Sequence, residues 1–293
     1  MAMAERDKPW TVLGLLNWTK GYFAQAAVNE PRLAAEILLA HVLTCRRIEL
    51  YTRFEYCPSP EELAAYRALV ARAQQHEPVA YLVGQREFYS MRFEVSPEVL
   101  IPRPETEILV AEAIAHLRAL ERPSRMWDVC TGCGCAAIAT ARHVPGVHVL
   151  ATDISAPAVD VAAANAARHG LSQRVVCRQG DLLSLPSDCE EWRQVDFISA
   201  NPPYVADGEP VAPEVEHEPE IALYAGKDGL DVARRLIRSA PDFLAPGGRF
   251  AVEFGMGQAE AVCDLLAETD AFDDPQVLCD QQDLERTVVA TRL

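Results

Sequence analysis

The sequence DVCTGCGCAAIATA, from Asp128 to Ala141, carries the strongest indication of the fold of this chain. An apolar strand pattern leads into it, a glycine-containing turn follows, and an alanine-rich run then predicts a helix. Gly132-x-Gly134-x-x-Ala137 matches the glycine-rich turn of nucleotide-binding folds. There the glycines let the backbone pass close to a ligand, and the small third residue lets the helix pack against the sheet. The stretch therefore predicts an α/β fold with a ligand at the carboxyl end of this strand.

Strand and helix patterns alternate from Met126 onward, which is the mark of a parallel sheet with covering helices. We expect seven strands, mostly parallel and covered on both faces. No helix is predicted between the last two, so they can form a terminal antiparallel pair. The predicted strands are Met126–Cys130, His148–Thr152, Arg174–Gln179, Val195–Ser199, Arg249–Phe254, Gln276–Cys279 and Thr287–Ala290.

The region before Met126 lacks this alternation of strands and helices. Apolar residues at helical spacing predict helices at Thr11–Val28, Arg32–Leu43 and Pro60–Gln75. The alternation in Arg86–Ser96 predicts two short strands, and a helix is expected over Glu105–Leu120. We therefore expect a helical domain for recognition or packing at residues 1–85, a strand-hairpin linker at 86–104 and an α/β domain at 105–293.

Composition narrows the function classes. The 293 residues carry a formal net charge of −16, which argues against stable nucleic-acid binding, because that needs a basic face. No run approaches the roughly 20 apolar residues of a membrane span, and the first residues lack the apolar core of a signal peptide. Nine cysteines without a regular framework then predict reduced thiols in a cytoplasmic protein that does not bind membranes. The sequence predicts no oligomeric state.

Acidic residues complete the predicted cofactor site. Asp153 ends the second strand about 20 residues beyond the glycines, where an acid accepts hydrogen bonds from ribose hydroxyls. Asp181 follows the third strand on the same edge, where an acid can face an adenine amino group with Leu182 against the ring. By itself this arrangement fits NAD and S-adenosylmethionine equally. Cys130, Cys133 and Cys135 are spaced too tightly for a metal site, so no metal is expected.

The fourth strand delivers Asn201-Pro202-Pro203-Tyr204 to the same edge. The prolines hold the loop extended and remove N–H donors, which leaves the Asn201 side-chain oxygen and the Pro202 carbonyl as outward acceptors. Two acceptors suit an NH2 group on a planar π system, and Tyr204 offers an aromatic wall for it. Fixing such a nitrogen in line with an electrophilic sulfonium methyl group supplies the orientation that methyl transfer needs.

At this point the chain resembles the protein-(glutamine-N5) methyltransferases, most closely the branch that modifies peptide chain release factors. The resemblance rests on AYLVGQREFYSMRFEVSPEVLIPRPETE, the glycine turn, ISANPPYV, HEPEIALYAGKDGLD and VEFGMGQ, and covers nearly the whole chain. It implies a class I methyltransferase domain (Rossmann-like) with a small N-terminal helical domain. It also implies S-adenosylmethionine as methyl donor and, as acceptor, the glutamine of a Gly-Gly-Gln motif in a release factor.

The resemblance also implies roles for individual residues. Asn201 and Pro202 would hold the glutamine amide, Tyr204 would pack on it, and Phe88 would border the site. Catalytic roles fall to Asn201, Pro202, Pro203 and Tyr204, and substrate binding to the same four with Arg103 and Glu105. Cofactor binding falls to Thr131, Gly132, Gly134, Asp153, Asp181 and Asn201.

Two departures from the family pattern stand out. Cys130 replaces the first glycine of the turn, at a cost of about 1 kcal/mol if that position needs a positive φ. The C-terminal DQQDLERTVVATRL is shorter than usual. The alternatives are a ribosomal-protein glutamine methyltransferase, an amino-methyltransferase of nucleic acid, an NAD-dependent oxidoreductase and an inactive cofactor-binding scaffold.

Overall fold

A computed structural model describes residues 9–184 and 190–293 of the chain. They form two compact units. The first consists of Met1–Gly84 and Ala212–His217, and the second of Gln85–Val211 and Glu218–Leu293. The chain therefore returns to the first unit for six residues in the middle of the second. The predicted three-part division, with a separate linker, stays a prediction.

The first unit is helical. Thr11 caps the first helix by accepting from the Gly14 N–H, and Ser59 forms a capping box with Glu62 at the start of the third. The first helix ends earlier than predicted, because Ala27 has a φ of 55° that no helix can continue. The helices are α1 (Val12–Gln25), α2 (Pro31–Val42), α3 (Pro60–Ala73) and α4 (Val79–Val83), with a 3-10 helix at Arg47–Thr52.

The returning segment is held in this unit by Glu214. Its Oε1 atom accepts from the Asn29 backbone N–H and lies 3.4 Å from His76 Nδ1. The core beneath consists of fully buried side chains, including Phe23, Leu38, Leu39 and Leu50.

The second unit begins with an antiparallel hairpin, β1 (Gln85–Phe88) and β2 (Met91–Glu94). The helix predicted at Glu105–Leu120 is α5 (Glu107–Ala119), so the prediction was wrong at its start. A 3-10 turn occupies Pro104–Thr106, and the Thr106 N–H bonds to the Arg103 carbonyl. Proline at 104 keeps Arg103 extended, so the first turn tightens before the α-helix can begin.

A seven-stranded sheet forms the rest, in the order β5-β4-β3-β6-β7-β9-β8. Its first five strands pair in parallel, while β9 pairs antiparallel with both β7 and β8. The predicted, mostly parallel sheet and its antiparallel end are thus confirmed. The strands are β3 (Ser124–Val129), β4 (Val147–Asp153), β5 (Val175–Gln179), β6 (Val195–Ala200), β7 (Leu244–Glu253), β8 (Gln276–Cys279) and β9 (Glu285–Thr291).

Among the residues described, four helices connect these strands: α6 (Cys135–His143), α7 (Ala156–Arg168), α8 (Asp231–Ser239) and α9 (Ala259–Ala267). The central strand β6 is buried along its whole length, as a sheet covered on both faces requires. The chain leaves β3 toward β4 on one side and returns to β6 on the other. This reversal opens a crevice at the carboxyl ends of β3 and β6, where such sheets bind ligands. In the described ranges, no helix is long and apolar enough to cross a membrane.

Candidate active site

A cavity opens at this crevice, with about 1200 Å³ of empty space including its mouth. It collects residues from the ends of β3, β4, β5 and β6. Among the predicted site residues, those that line it are Arg103, Thr131, Gly132, Asp153, Asp181, Asn201 and Pro203. Of the described residues, Glu105, Gly134, Pro202 and Tyr204 were also predicted for the site but are not part of its wall.

The glycines of the turn have a left-handed backbone. Gly132 has a φ of 53° and Gly134 a φ of 82°. A Cβ atom on Gly134 would lie 3.2 Å from Ala162 Cβ and 3.1 Å from Ile138 Cδ1, so this glycine lets α6 and α7 approach each other. Gly132, in contrast, lines the cavity, and a Cβ there would meet no described atom within 4 Å. One glycine thus serves packing and the other leaves room for a ligand.

Cys130 also has a positive φ, 56°. Position 130 therefore does need a positive φ, and a residue with a side chain occupies it where the resemblance predicts glycine. The thiol lines the cavity, and burial raises its pKa, so it stays neutral.

Asp153 is oriented by the turn that it faces. Its Oδ2 atom accepts from the Gly132 N–H at 2.9 Å, and its Oδ1 atom accepts from the Ser155 N–H at 3.0 Å. Burial raises the pKa of this carboxyl group, and the two backbone hydrogen bonds oppose the rise. Each oxygen keeps acceptor capacity for a ligand in the cavity, as a ribose diol requires.

Asp128 was not predicted as a site residue, yet it is a buried acid in the cavity wall. It accepts from the hydroxyl groups of Thr131 and Ser199. Burial raises its pKa to about 6, against the effect of these hydrogen bonds. Its position at the end of β3, three residues before Thr131, was a sequence signal that could have identified it.

Asp181 lines the outer part of the cavity and is paired with Arg235, whose Nη2 atom lies 2.6 Å from the carboxylate. Both side chains are largely exposed, so this ion pair contributes little and a ligand can replace it. Leu182 beside it is buried and also lines the cavity. The predicted contact of Asp181 with adenine stays a prediction.

Asn201 is the first residue of the loop after β6, and it lines the cavity. Its Nδ2 atom donates to Thr106 Oγ1 at 3.1 Å, and the Thr106 hydroxyl donates to Glu253 Oε2 at 2.7 Å. In the described part of the chain, nothing donates to Asn201 Oδ1, which leaves that oxygen as an acceptor beside the cavity. Thr106 and Glu253 were not found by sequence reasoning, although both lie in blocks that carry the resemblance.

Tyr204 is held in place by two residues that follow β7, Gly255 and Gln258. Gln258 Nε2 donates to the Tyr204 carbonyl at 3.0 Å, and Gln258 Oε1 accepts from the Gly255 N–H at 2.8 Å. A Cβ atom on Gly255 would lie only 3.1 Å from Tyr204 Cδ2, so the ring packs against this glycine. Burial, followed by the charge of Glu253, raises the pKa of the phenol, which therefore stays protonated at neutral pH.

Arg103 is fixed by a buried acid. Glu218 is 4% exposed and accepts from the Arg103 guanidinium and from the Ile101 N–H.

Phe88 is buried against Phe93, with ring centroids 6.1 Å apart, and so supports the hairpin.

No group of acids, histidines and cysteines in the described ranges is arranged to hold a metal ion. The cysteines at the turn are free thiols. Cys133 and Cys135 are buried, and a hydrogen bond with Cys133 is the main cause that raises the pKa of Cys135. Both thiols therefore fill space beside the turn.

The sheet order, the glycine turn and the acid at the end of β4 define a class I methyltransferase fold. Consistent with this, the methyltransferase small domain family matches residues 106–218. A methyltransferase from Pyrococcus furiosus shares the fold, with a TM-score of 0.51, 16% identity, and coverage of 75% of this chain and 96% of that one.

More specific matches extend over the whole chain. The PrmC N-terminal domain family matches residues 14–84. The release factor glutamine methyltransferase of Geobacter sulfurreducens is 41% identical over 98% of both chains. That of Rhodopirellula baltica is 44% identical over 86% of both. The chain belongs to the release factor glutamine methyltransferase family, which confirms the resemblance seen in its motifs, and the methyl donor of this family is S-adenosylmethionine.

Proposed function

We propose that the protein methylates the side-chain amide nitrogen (N5) of the glutamine in the Gly-Gly-Gln motif of peptide chain release factors. The observation that carries the proposal concerns Asn201. Its Oδ1 atom accepts from no donor among the described residues, and Asn201 lines the same cavity as Gly132 and Asp153. A primary amide presents the N–H group that such an acceptor needs.

The cavity fits S-adenosylmethionine. Asp153 would accept from the ribose hydroxyls, and Asp128 would face the ammonium group of the methionine part. The open space over Gly132 lets the backbone approach the ligand. Bound there, the cofactor supplies an electrophilic sulfonium methyl group.

The loop after β6 would act on the acceptor. Asn201 Oδ1 and, as predicted from sequence, the Pro202 carbonyl would accept the two amide N–H bonds and turn the weakly nucleophilic nitrogen toward the methyl carbon. Methyl transfer would form the C–N bond as the S–CH3 bond breaks, and one amide proton would be lost to solvent. No strong base is needed, because the nitrogen becomes acidic as it is alkylated, and Tyr204 would pack on the amide plane.

The same acceptors would exclude glutamate. A carboxylate has no proton to donate, and it would meet the Asn201 oxygen with like polarity. A site that requires a donor commonly rejects an analogue without one by several orders of magnitude.

The test uses S-adenosylmethionine labelled in the methyl group, purified release factor and a release factor with Gln→Ala in the Gly-Gly-Gln motif. Label on the first factor and not on the second is the expected result. Equal label on both, or label on neither, contradicts the proposal. Ribosomal protein and total RNA serve as parallel acceptors, and preferential labelling of either would assign the chain to one of the alternatives.

We further propose that residues 1–85 select the partner protein and that the enzyme works in the cytoplasm. An exposed aromatic side chain on α1 supports a binding role: Trp18 is 49% exposed and stacks on the partly buried Tyr22, with ring centroids 5.1 Å apart. A Trp18→Ser variant should raise KM for intact release factor and leave methylation of a short Gly-Gly-Gln peptide unchanged. Equal effects on both substrates would contradict this role.

A further inference from the structure

Three side chains from separate parts of the chain form a hydrogen-bonded row that leads from the cavity wall into the protein interior. Asn201 follows β6, Thr106 precedes α5, and Glu253 ends β7. Asn201 and Thr106 are 95 residues apart, and Thr106 and Glu253 are 147 apart. Thr106 and Glu253 are 4% and 2% exposed, so water does not replace these bonds.

The row has a direction. An ionised carboxylate only accepts hydrogen bonds, so the single proton of the Thr106 hydroxyl must point at Glu253. The Thr106 oxygen then has only lone pairs left for Asn201, and it must meet the NH2 end of that amide. The Asn201 oxygen is consequently at the opposite end, free for a ligand. Glu253 itself does not line the cavity.

We propose that Thr106 and Glu253 are positioning residues that keep the Asn201 oxygen turned toward the glutamine amide, and that they do so only while Glu253 is ionised. This inference rests on the proposed function. Once protonated, Glu253 can donate to Thr106, which releases the hydroxyl proton to Asn201. The Asn201 amide then turns over and presents NH2 to the NH2 of the substrate, an arrangement with no hydrogen bond.

The surroundings of Glu253 bring this change close to neutral pH. Burial raises its pKa to about 7, and the hydrogen bond from Thr106 opposes the rise. Glu105 raises the pKa further, whereas Arg286 on β9 and Arg103 lower it. The phenol of Tyr204 also interacts with the carboxylate and stays neutral. The productive orientation is therefore gained as pH rises through this range.

Variants at Thr106 test the row. Thr106→Val keeps the shape and removes the hydroxyl, and we expect kcat to fall by at least about tenfold while the Kd of S-adenosylmethionine changes by less than about twofold. Thr106→Ser restores the hydroxyl and should restore kcat. The inference fails if the valine variant turns over like wild type, or if serine does not rescue it.

The pH profile of kcat tests Glu253. We expect a limb near pH 7 in wild type, with activity higher on the alkaline side, and its loss in Glu253→Gln, because a glutamine side chain does not ionise. Persistence of the limb in that variant contradicts the proposal.

A third measurement does not depend on turnover. The side-chain 15N–1H2 signals of Asn201 in the wild-type protein should shift with a midpoint near pH 7, and a flat titration would overturn the inference even if no variant folds. Absence of label on release factor with wild-type enzyme would instead refute the proposed function and leave this titration to judge the row.

Discussion

Gln258 holds the backbone of Tyr204 in place: its side-chain amide donates to the Tyr204 carbonyl oxygen at 3.0 Å across 54 residues of sequence. The same amide also donates to the Asp228 carbonyl and accepts from the Gly255 N–H. One side chain thus ties the loop after β6 to two other loops, and the position of the predicted substrate wall depends on it.

Gln258→Ala should therefore reduce kcat more than it weakens cofactor binding. Three backbone groups lose their partner, so the melting temperature should also fall. Gln258→Glu is the matched variant, since it keeps the acceptor for Gly255 and loses the donor to the Tyr204 and Asp228 carbonyls. An effect of similar size in both variants locates the role in these donated bonds, whereas normal activity in the glutamate variant contradicts it.

Asn201→Ala should separate binding from transfer. The cofactor contacts predicted for Asp153 and the glycine turn remain, while the acceptor for the glutamine amide is lost. We expect kcat to fall by about 100-fold or more, while the Kd of S-adenosylmethionine measured by calorimetry rises far less, because Asn201 is one of six residues predicted to bind the cofactor. Unchanged turnover would remove Asn201 from its assigned role.

Asp153→Ala should weaken cofactor binding, because the ribose hydroxyls and the Gly132 N–H lose a charged acceptor. The expected loss is about 10- to 100-fold in Kd. Asp160→Asn, on the exposed face of α7, removes the same charge and provides the control. Similar losses in both variants would attribute the effect to net charge alone.

Cys130 offers a direct measurement of backbone strain. A residue with a side chain at a φ of 56° is disfavoured, so Cys130→Gly should be more stable than Cys130→Ala by about 1 kcal/mol in the free energy of unfolding. Comparison with alanine cancels the loss of the thiol, which packs against the core. If glycine also binds S-adenosylmethionine no better than wild type does, the cysteine is harmless to cofactor binding.

The stability of the protein should depend on pH through Glu253. Its pKa is raised in the folded state, to about 7 from 4.5, so the folded protein holds a proton that the unfolded chain releases. The contribution of Glu253 to the free energy of unfolding is then fully present below pH 4.5. It is lost as pH rises through 7, and the loss amounts to at most about 3 kcal/mol. Denaturation of wild type and Glu253→Gln from pH 4.5 to 8 checks this. A constant difference between the two would contradict it.

Local patterns predicted the fold because each strand, turn and helix is encoded by neighbouring residues. Gly132 and Asp153 could be placed together from the sequence alone, since parallel strands bring their carboxyl ends to one edge. The start of α5 was missed because Pro104 favours a 3-10 turn that apolar spacing does not reveal. The pairing of Asp181 with Arg235 was missed because it joins side chains 54 residues apart on the surface.

The row of Asn201, Thr106 and Glu253 was beyond sequence reasoning for the same cause. A threonine before a helix and a glutamate at a strand end are ordinary in isolation. Their role depends on a hydrogen bond between elements that are distant in the sequence, and no spacing rule predicts such a bond.

The six residues Ala212–His217 limit how the enzyme can be dissected. A chain that begins at residue 85 would still carry Glu214, whose contacts with Asn29 and His76 would be gone. A chain that stops at residue 84 would lack that segment as well. Fragment swaps between relatives must therefore exchange residues 1–84 and 212–217 together, and a single cut between the units would disturb both halves at once.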